Sequence, residues 1–168
     1  MGRIYKKLLS IKVSTGFKGL YFCYLGGISM ITYGNKISEQ EYNHLRKAVG
    51  WNTLRKEQAE RGLMNSAFLT VAYKDGKAVG MARVVGDGGY IVIIADVMVL
   101  PEFQGQGIGR QLMNNVMDYL KNSMQKNDFL MVNLMAAPNK EGFYKKFGFI
   151  ERPNENMGAG MVMYLKKE

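Results

Sequence analysis

A long apolar stretch that runs directly into a glycine-rich loop constrains the fold most strongly. The stretch is YIVIIADVMVL at 90–100, and the loop PEFQGQGIG follows at once. An apolar run of this kind predicts a strand buried on both faces. The next residues repeat Leu112, Val116, Met117 and Leu120 at helical spacing, which predicts a helix over 107–124. A strand, loop and helix in this order predict a parallel β-helix-β crossover.

The remaining segments place an antiparallel meander before the crossover. ITYG, AFLTVAY and AVGMARVV predict strands, and KDGK predicts the hairpin turn between the last two. Ser38 and Glu41 predict a capping box at the first helix, and Asn52 is the expected cap of a second helix. Beyond the crossover helix, FLMVNLMAA predicts a buried strand, NKEGFYKKFGF a short helix and MVMYL a last strand.

The glycine loop indicates an anion site. The first N–H groups of a helix lack helical acceptors and carry partial positive charge, and glycines let a ligand approach them. The expected ligand is a phosphate or pyrophosphate. Arg110 stands where a dinucleotide fingerprint needs its third glycine, and the Gly-Lys-Ser/Thr of a P-loop is absent. From the glycines alone, a flexible turn remains an equal alternative.

Composition predicts one globular domain and argues against several functions. Of 23 basic residues 18 lie after residue 29, against 14 acidic ones, and no long run of one sign occurs, so no nucleic-acid partner is expected. No apolar run reaches the length of a membrane-spanning helix, about 20 residues. One histidine and one cysteine, Cys23, cannot form a His/Cys metal cluster, and no metal is expected. The single cysteine fits a reducing compartment, so a cytoplasmic location is predicted.

Residues 1–29 differ from the rest of the chain, with five basic residues, no acid and an apolar stretch at GLYFCYLGGI. A secretory signal would need a small-x-small cleavage site, and a myristoylation signal would need Ser or Thr where Lys6 stands. LGGISM can also be encoded with a purine-rich ribosome-binding sequence ahead of Met30. We therefore expect 1–29 to be a disordered or non-native extension and 30–168 to form the single domain.

Two motifs resemble the GNAT superfamily of acetyl-CoA-dependent N-acetyltransferases. DVMVLPEFQGQGIGRQLM is similar to its central motif, Gln/Arg-x-x-Gly-x-Gly/Ala, and FYKKFGF at 143–149 is similar to its second signature. GMARVVGDGGY and AVGW resemble a broad group of small, mostly bacterial members. The resemblance implies the GNAT fold, a mixed α/β (α+β) class with a mostly antiparallel sheet and helices on both faces.

The resemblance also implies roles for individual residues. Tyr144 would protonate the departing thiolate, the N–H of Val99 would polarise the thioester carbonyl, and the strands at 91–100 and 129–136 would splay apart around the acetyl group. The implied acetyl-CoA contacts are Val97, Met98, Val99, Gln104, Gly105, Gln106, Gly107, Ile108, Gly109, Arg110, Asn139 and Phe143. Many members have Asn where this chain has Ala137, so Asn139 either replaces it or caps the following helix.

Alternatives stay open at three further positions. Asp96 is either the base that deprotonates the acceptor amine, a job that water can also do, or an acceptor of hydrogen bonds from nearby loops. Trp51 lies where this family builds its acceptor site, although core packing is the favoured interpretation. Arg83 either binds a substrate carboxylate or pairs with an acid.

The predicted function is therefore acetyl transfer from acetyl-CoA to a primary amine of a small molecule. The alternative is a non-catalytic CoA-binding or regulatory module on the same fold, against which Tyr144 argues. A homodimer is one option, because dimers are common in the family.

Overall fold

A five-stranded mixed sheet forms the centre of the molecule, in a computed structural model that describes residues 30–165. Its strands are β1 (Ile31–Gly34), β2 (Phe68–Lys74), β3 (Lys77–Gly86), β4 (Ile91–Val99) and β5 (Met131–Asn133), which lie across the sheet in chain order. The pairings of β1 with β2, β2 with β3 and β3 with β4 are antiparallel, and β4 pairs with β5 in parallel. The predicted meander and parallel crossover are confirmed.

Helices cover both faces of this sheet. They are α1 (Glu39–Ala48), α2 (Lys56–Met64), α3 (Ile108–Ser123) and α4 (Glu141–Lys145), with a 3₁₀ turn at Pro101–Phe103. Asn115 of α3 donates to the Thr70 hydroxyl on β2 at 3.0 Å. Thr70 pairs with Ala82, so the next residue of β3, Arg83, points to the opposite face, where it donates to the Gly62 carbonyl of α2 at 3.0 Å.

The core lies mainly between α3 and the sheet. Leu112, Met113 and Val116 are fully buried, and Leu120 nearly so. The backbone of β3 approaches β4 closely at Gly80, where a Cβ would lie 2.8 Å from the Met98 carbonyl oxygen. Only glycine fits there, and Leu112 of α3 packs over the same point, 3.4 Å from that Cβ position.

The predicted capping box is present at the start of α1. The Glu41 amide donates to Ser38 Oγ at 3.2 Å, and the Ser38 amide donates to Glu41 Oε2 at 3.1 Å. Burial acts to raise the pKa of the Glu41 carboxyl, but hydrogen bonds from Ser38 and from the Ala78 amide outweigh it and lower that pKa. Glu41 therefore ties the helix start to β3.

Replacing Ser38 with alanine is expected to lower the free energy of unfolding at neutral pH by about 1 kcal/mol, because the cap hydrogen bonds are lost. Chemical denaturation measures the change, and Ser38→Thr, which keeps a capping hydroxyl, is the control. The folded pKa of Glu41 lies below its ordinary value of 4.5. Its contribution is therefore complete above that pH and is lost as the pH falls through the folded pKa. The free energies of unfolding of the wild type and of Ser38→Ala should therefore approach each other in acid. A difference between them that does not depend on pH would contradict the role of Glu41.

The prediction that Asn52 caps the second helix is wrong. Helix α2 begins at Lys56, with Arg55 at the cap position and no side-chain cap. The α1–α2 loop is instead held to α1: Arg46 Nε donates to the Asn52 carbonyl at 2.8 Å, and the Asn43 side chain exchanges hydrogen bonds with the Leu54 backbone. The loop between α1 and α2 therefore extends beyond Asn52, as far as Arg55.

Three strand predictions also need correction. β4 is not buried on both faces, since Ile91 and Ile93 are exposed on the face that carries α1 and α2. The stretch 129–137 is a strand only over Met131–Asn133, because its pairing with β4 stops there. Residues 161–165 form no strand, and their side chains are exposed; within residues 30–165 no strand lies beside them to supply backbone hydrogen bonds.

Candidate active site

The start of α3 presents three backbone amides without acceptors. Gly107 is its N-cap with φ 84°, a left-handed conformation that favours glycine, and it offers no side-chain cap. The first bond into the helix runs from the Gln111 amide to the Gly107 carbonyl at 3.0 Å. No acceptor among residues 30–165 meets the amides of Ile108, Gly109 and Arg110, and the first turn has no acid. This geometry suits an anion.

The end of β4 turns its peptide groups toward an open edge. The Leu100 amide donates to the Val79 carbonyl at 2.9 Å, so the Val79–Leu100 bond flanks the Gly80–Val99 pair. In an antiparallel ladder, the N–H and C=O of Val99 then point away from β3. Gln104 Nε2 donates to that carbonyl from the other side at 2.9 Å. Pairing with β5 has already ended at Ile93–Asn133, so the part of β4 beyond Ile93 does not pair with β5; the splay implied by the resemblance stays a prediction.

Three of the predicted acetyl-CoA residues meet at one point. A Cβ on Gly109 would lie 3.7 Å from Phe143 Cζ and 3.8 Å from Val99 Cγ2. Helix α3, strand β4 and helix α4 therefore converge where the glycine loop ends. A Cβ at Gly109 would make ordinary van der Waals contacts with both side chains, so the junction is closely packed.

Tyr144 lies next to that junction on α4. Its side chain is 9% exposed and packs edge-on against Phe143, with ring centroids 5.0 Å apart. Burial raises the pKa of its phenol, so the hydroxyl stays protonated well above neutral pH. No residue within 30–165 hydrogen-bonds that hydroxyl, which leaves it available as a proton donor.

Asp96 occupies a bulge of β4. Met98 pairs with Met81 and Ala95 with Arg83, so Asp96 and Val97 together oppose one residue of β3. Asp96 has φ 52°, which is unusual for a residue other than glycine. The bulge aims its carboxylate toward α1.

The Asp96 carboxylate accepts hydrogen bonds from three side chains. Tyr42 OH donates to Oδ2 at 2.7 Å, Arg83 Nε contacts the same oxygen, and Arg46 Nη1 lies 3.4 Å from Oδ1. Its side chain is only 9% exposed. The structure thus shows the alternative that Arg83 pairs with an acid, and it shows the partners of Asp96; the base role stays a prediction.

Trp51 is not a core residue. It is 38% exposed, and the Arg46 guanidinium lies 5.5 Å from its ring centroid. The favoured interpretation of a buried tryptophan is therefore wrong: the end of α1 leaves the ring on the surface, where Arg46 covers part of it. Its acceptor-site role stays a prediction.

Sequence reasoning missed Tyr42 and Arg46. They lie one helical turn apart on α1, and Tyr42 is 1% exposed. A tyrosine on the buried stripe with Leu45 was the available signal, because a buried phenol needs a partner for its hydroxyl.

The other proposed contacts occupy different settings. Met98 and the Ile108 side chain are buried, whereas Gln104, Gly105, Gln106 and Arg110 are exposed around the loop. Asn139 is exposed with φ 65° and does not cap α4, whose cap position is Lys140 without a side-chain bond. The capping alternative is therefore wrong, and contact with acetyl-CoA stays a prediction.

A cavity of about 590 Å³ lies elsewhere, between the start of α1 and the β2–β3 hairpin. It includes Glu41, Lys74 and Phe103 but none of Asp96, Val99 or Tyr144. We place the site at the β4 edge because the unbonded amides and the tyrosine lie there. Within residues 30–165, no group of three or more His, Cys, Asp or Glu side chains is arranged to hold a metal. The helices of that part of the chain are too short or too polar to span a membrane.

Comparison with known proteins gives a consistent result. The Acetyltransferase (GNAT) domain family matches residues 35–164, which include the glycine loop and Tyr144. An uncharacterised N-acetyltransferase, ycf52, from Pyropia yezoensis is 30% identical over 128 residues, covering 74% of this chain and 71% of that protein. Serotonin N-acetyltransferase 2, chloroplastic, from Oryza sativa subsp. japonica is 29% identical over 130 residues, covering 75% of this chain and 62% of that protein.

Solved structures agree on the fold. A protein of unknown function from meticillin-resistant Staphylococcus aureus superposes with a TM-score of 0.73 at 34% identity. The superposition covers 81% of this chain and all of that one.

Proposed function

Because this chain belongs to the GNAT family of N-acetyltransferases, we propose that it transfers the acetyl group of acetyl-CoA to the primary amine of a small molecule. The observation that carries the proposal is the junction of Val99, Gly109 and Phe143 beside the unbonded amides of α3. An anion site at a helix start and an open strand edge leading away from it fit the two ends of a phosphate-linked thioester.

The residues present fit acetyl-CoA in three respects. The amides of Ile108, Gly109 and Arg110 would hold its pyrophosphate, since no acid in that turn competes. The outward carbonyl of Val99 would accept a hydrogen bond from its pantetheine arm, as a bound peptide pairs with a sheet edge, which leaves the N–H of Val99 for the acetyl group. Asn139, exposed at the turn before α4, would contact the same arm. When bound, acetyl-CoA supplies an activated acetyl group.

Three residues of the chain have separate roles in the proposed reaction. The N–H of Val99 would donate to the acetyl carbonyl oxygen and would stabilise the negative charge that develops there. Tyr144 holds a proton for the departing sulfur, and burial keeps that proton in place at neutral pH. The three donors on Asp96 favour a positioning role for this carboxylate, with ordered water accepting the proton of the amine.

The name of a relative supports the proposed acceptor class. The rice relative is named for serotonin, a small primary amine. We also propose a cytoplasmic location, because one cysteine in the chain suits a reducing compartment. A homodimer is proposed as well, and light scattering of the purified protein tests it.

Isothermal titration with acetyl-CoA, followed by an amine screen that detects free CoA thiol, tests the function. We expect saturable binding, and thiol release only when an acceptor is present. Binding without transfer to any amine would favour the non-catalytic module instead. A folded protein that does not bind acetyl-CoA would overturn the proposal.

A further inference from the structure

Two arginines converge on one carboxylate on the face of the sheet that carries α1 and α2. Arg46 Nη1 and Arg83 Nε contact different oxygens of Asp96. Within residues 30–165, no other carboxylate lies within ion-pair distance of either guanidinium. Tyr42 adds no charge, because burial and the neighbouring Asp96 carboxylate raise the pKa of its phenol. The cluster therefore has two positive charges against one negative charge.

Each guanidinium also keeps a terminal nitrogen free for a ligand. Arg46 uses Nε for the Asn52 carbonyl and Nη1 for Tyr42 and Asp96. Arg83 uses Nε for Asp96 and Nη1 for the Gly62 carbonyl and the Ser66 hydroxyl. Neither Nη2 has a partner among the described residues. The side chains of Arg46 and Arg83 are 16% and 18% exposed. Every fully buried side-chain nitrogen or oxygen of the described residues has a hydrogen-bond partner. Because the two Nη2 atoms have no such partner, both must be in contact with solvent.

The surroundings hold Arg46 in a fixed orientation. Its guanidinium lies 5.4 Å from the Tyr42 ring centroid and 5.5 Å from that of Trp51, which is itself exposed. Stacking on aromatic rings fixes the plane of the guanidinium without using its hydrogen-bond donors. A fixed guanidinium with a free donor is suited to a carboxylate or a phosphate.

The cluster borders the stretch of β4 proposed to hold the acetyl group. Asp96 comes three residues after the last β4–β5 pair and three residues before Val99. At about 3.3 Å per residue, Asp96 lies roughly 10 Å along the strand from Val99. A small acceptor can therefore place its amine near Val99 while another part of it approaches the arginines.

We propose that the acceptor amine also carries an anionic group, a carboxylate or a phosphate, which Arg46 and Arg83 bind through their Nη2 groups. This inference rests on the proposed function and names its substrate class. The anionic group supplies the second negative charge that the cluster lacks.

Acceptor pairs that differ only in the anionic group test the inference on the unaltered protein. Amino acids are compared with their primary amides, and phosphoethanolamine with ethanolamine, by release of CoA thiol. We expect the anionic member of at least one pair to be preferred by about tenfold or more in kcat/KM, chiefly through KM. The two kinds of pair separate a carboxylate from a phosphate.

Arg46→Gln tests the residue itself, since it removes the charge while Arg83 still pairs with Asp96. We expect KM for the anionic acceptor to rise about tenfold or more. KM for the neutral counterpart and the affinity for acetyl-CoA should not change. Arg46→Lys should restore part of the preference, and Arg61→Gln, at an exposed arginine on α2, controls for overall charge.

The outcomes separate this inference from the proposed function. Transfer to amines with no preference for the anionic members would overturn the inference and leave the function standing. If Arg46→Gln lowered kcat/KM equally for the anionic and the neutral acceptor, Arg46 would have only a structural role, and this result would also overturn the inference. Binding of acetyl-CoA without transfer to any acceptor would overturn both proposals.

Discussion

Replacing Gly107 with glutamate is expected to abolish acetyl-CoA binding by the folded protein. Gly107 is the N-cap of α3, and no atom lies within 4 Å of where its Cβ would be, so a side chain has room there. A carboxylate at this cap would lie beside the amides proposed to hold the pyrophosphate. Two like charges about 5 Å apart repel by about 3 kcal/mol at an effective dielectric constant of about 20, which is more than a hundredfold in Kd. Isothermal titration measures the loss.

Gly107→Gln is the matched control for this substitution. Gly107 has φ 84°, so either side chain adds a similar backbone strain, and both variants should melt at similar, lowered temperatures. Only the glutamate adds charge. The Gly107→Gln protein should therefore bind acetyl-CoA measurably. The difference in affinity between the two variants gives the electrostatic part of the lost binding energy. A folded Gly107→Glu protein with unchanged affinity would remove the anion site from α3.

Local patterns predicted the parts of the fold that local chemistry decides. The hairpin turn at Asp75–Gly76 has positive φ at both residues, as its sequence requires. The capping box at Ser38 depends on residues three apart, and the strand-loop-helix order around Gly107 depends on neighbours in the chain. In each case the residues that form the structure lie close together in the sequence.

Features that depend on a distant partner were not predicted. The bulge at Asp96 exists only because Ala82 faces two residues, and no property of β4 alone indicates that count. The apolar MVMYL run predicted a strand, but a strand also needs a neighbour, and within residues 30–165 β5 pairs with β4 alone. The apolar run therefore identified a segment that can pair, but it did not show that a partner strand exists.

The candidate site divides in the same way. The glycine loop and Tyr144 were identified from motifs contiguous in sequence, and the structure brings Val99, Gly109 and Phe143 together beside them. The network around Asp96 joins residues 50 and 54 positions apart in the chain. Neither Arg46 nor Tyr42 belongs to a local motif, and it is the packing of α1 on the sheet that brings them to Asp96.

Replacing Tyr144 with phenylalanine is expected to lower kcat by about 10² to 10⁴-fold while leaving the affinity for acetyl-CoA nearly unchanged. The proton of the phenol would be lost from the transition state alone. A departing thiolate, whose conjugate thiol has an ordinary pKa of about 8.5, needs that proton at neutral pH. Single-turnover kinetics with a saturating acceptor measures the chemical step, and isothermal titration measures the affinity.

Phenylalanine is itself a clean replacement here, because it keeps the edge-on packing against Phe143 and Phe149 and no described residue bonds the lost hydroxyl. The melting temperature should therefore stay the same, so lost activity reports chemistry. Burial raises the pKa of Tyr144, so the acid form persists through neutral pH and activity dependent on it declines only in alkali. This decline at alkaline pH should be absent from the pH–rate profile of Tyr144→Phe. A variant as fast as the wild type, with this decline intact, would assign proton delivery to water.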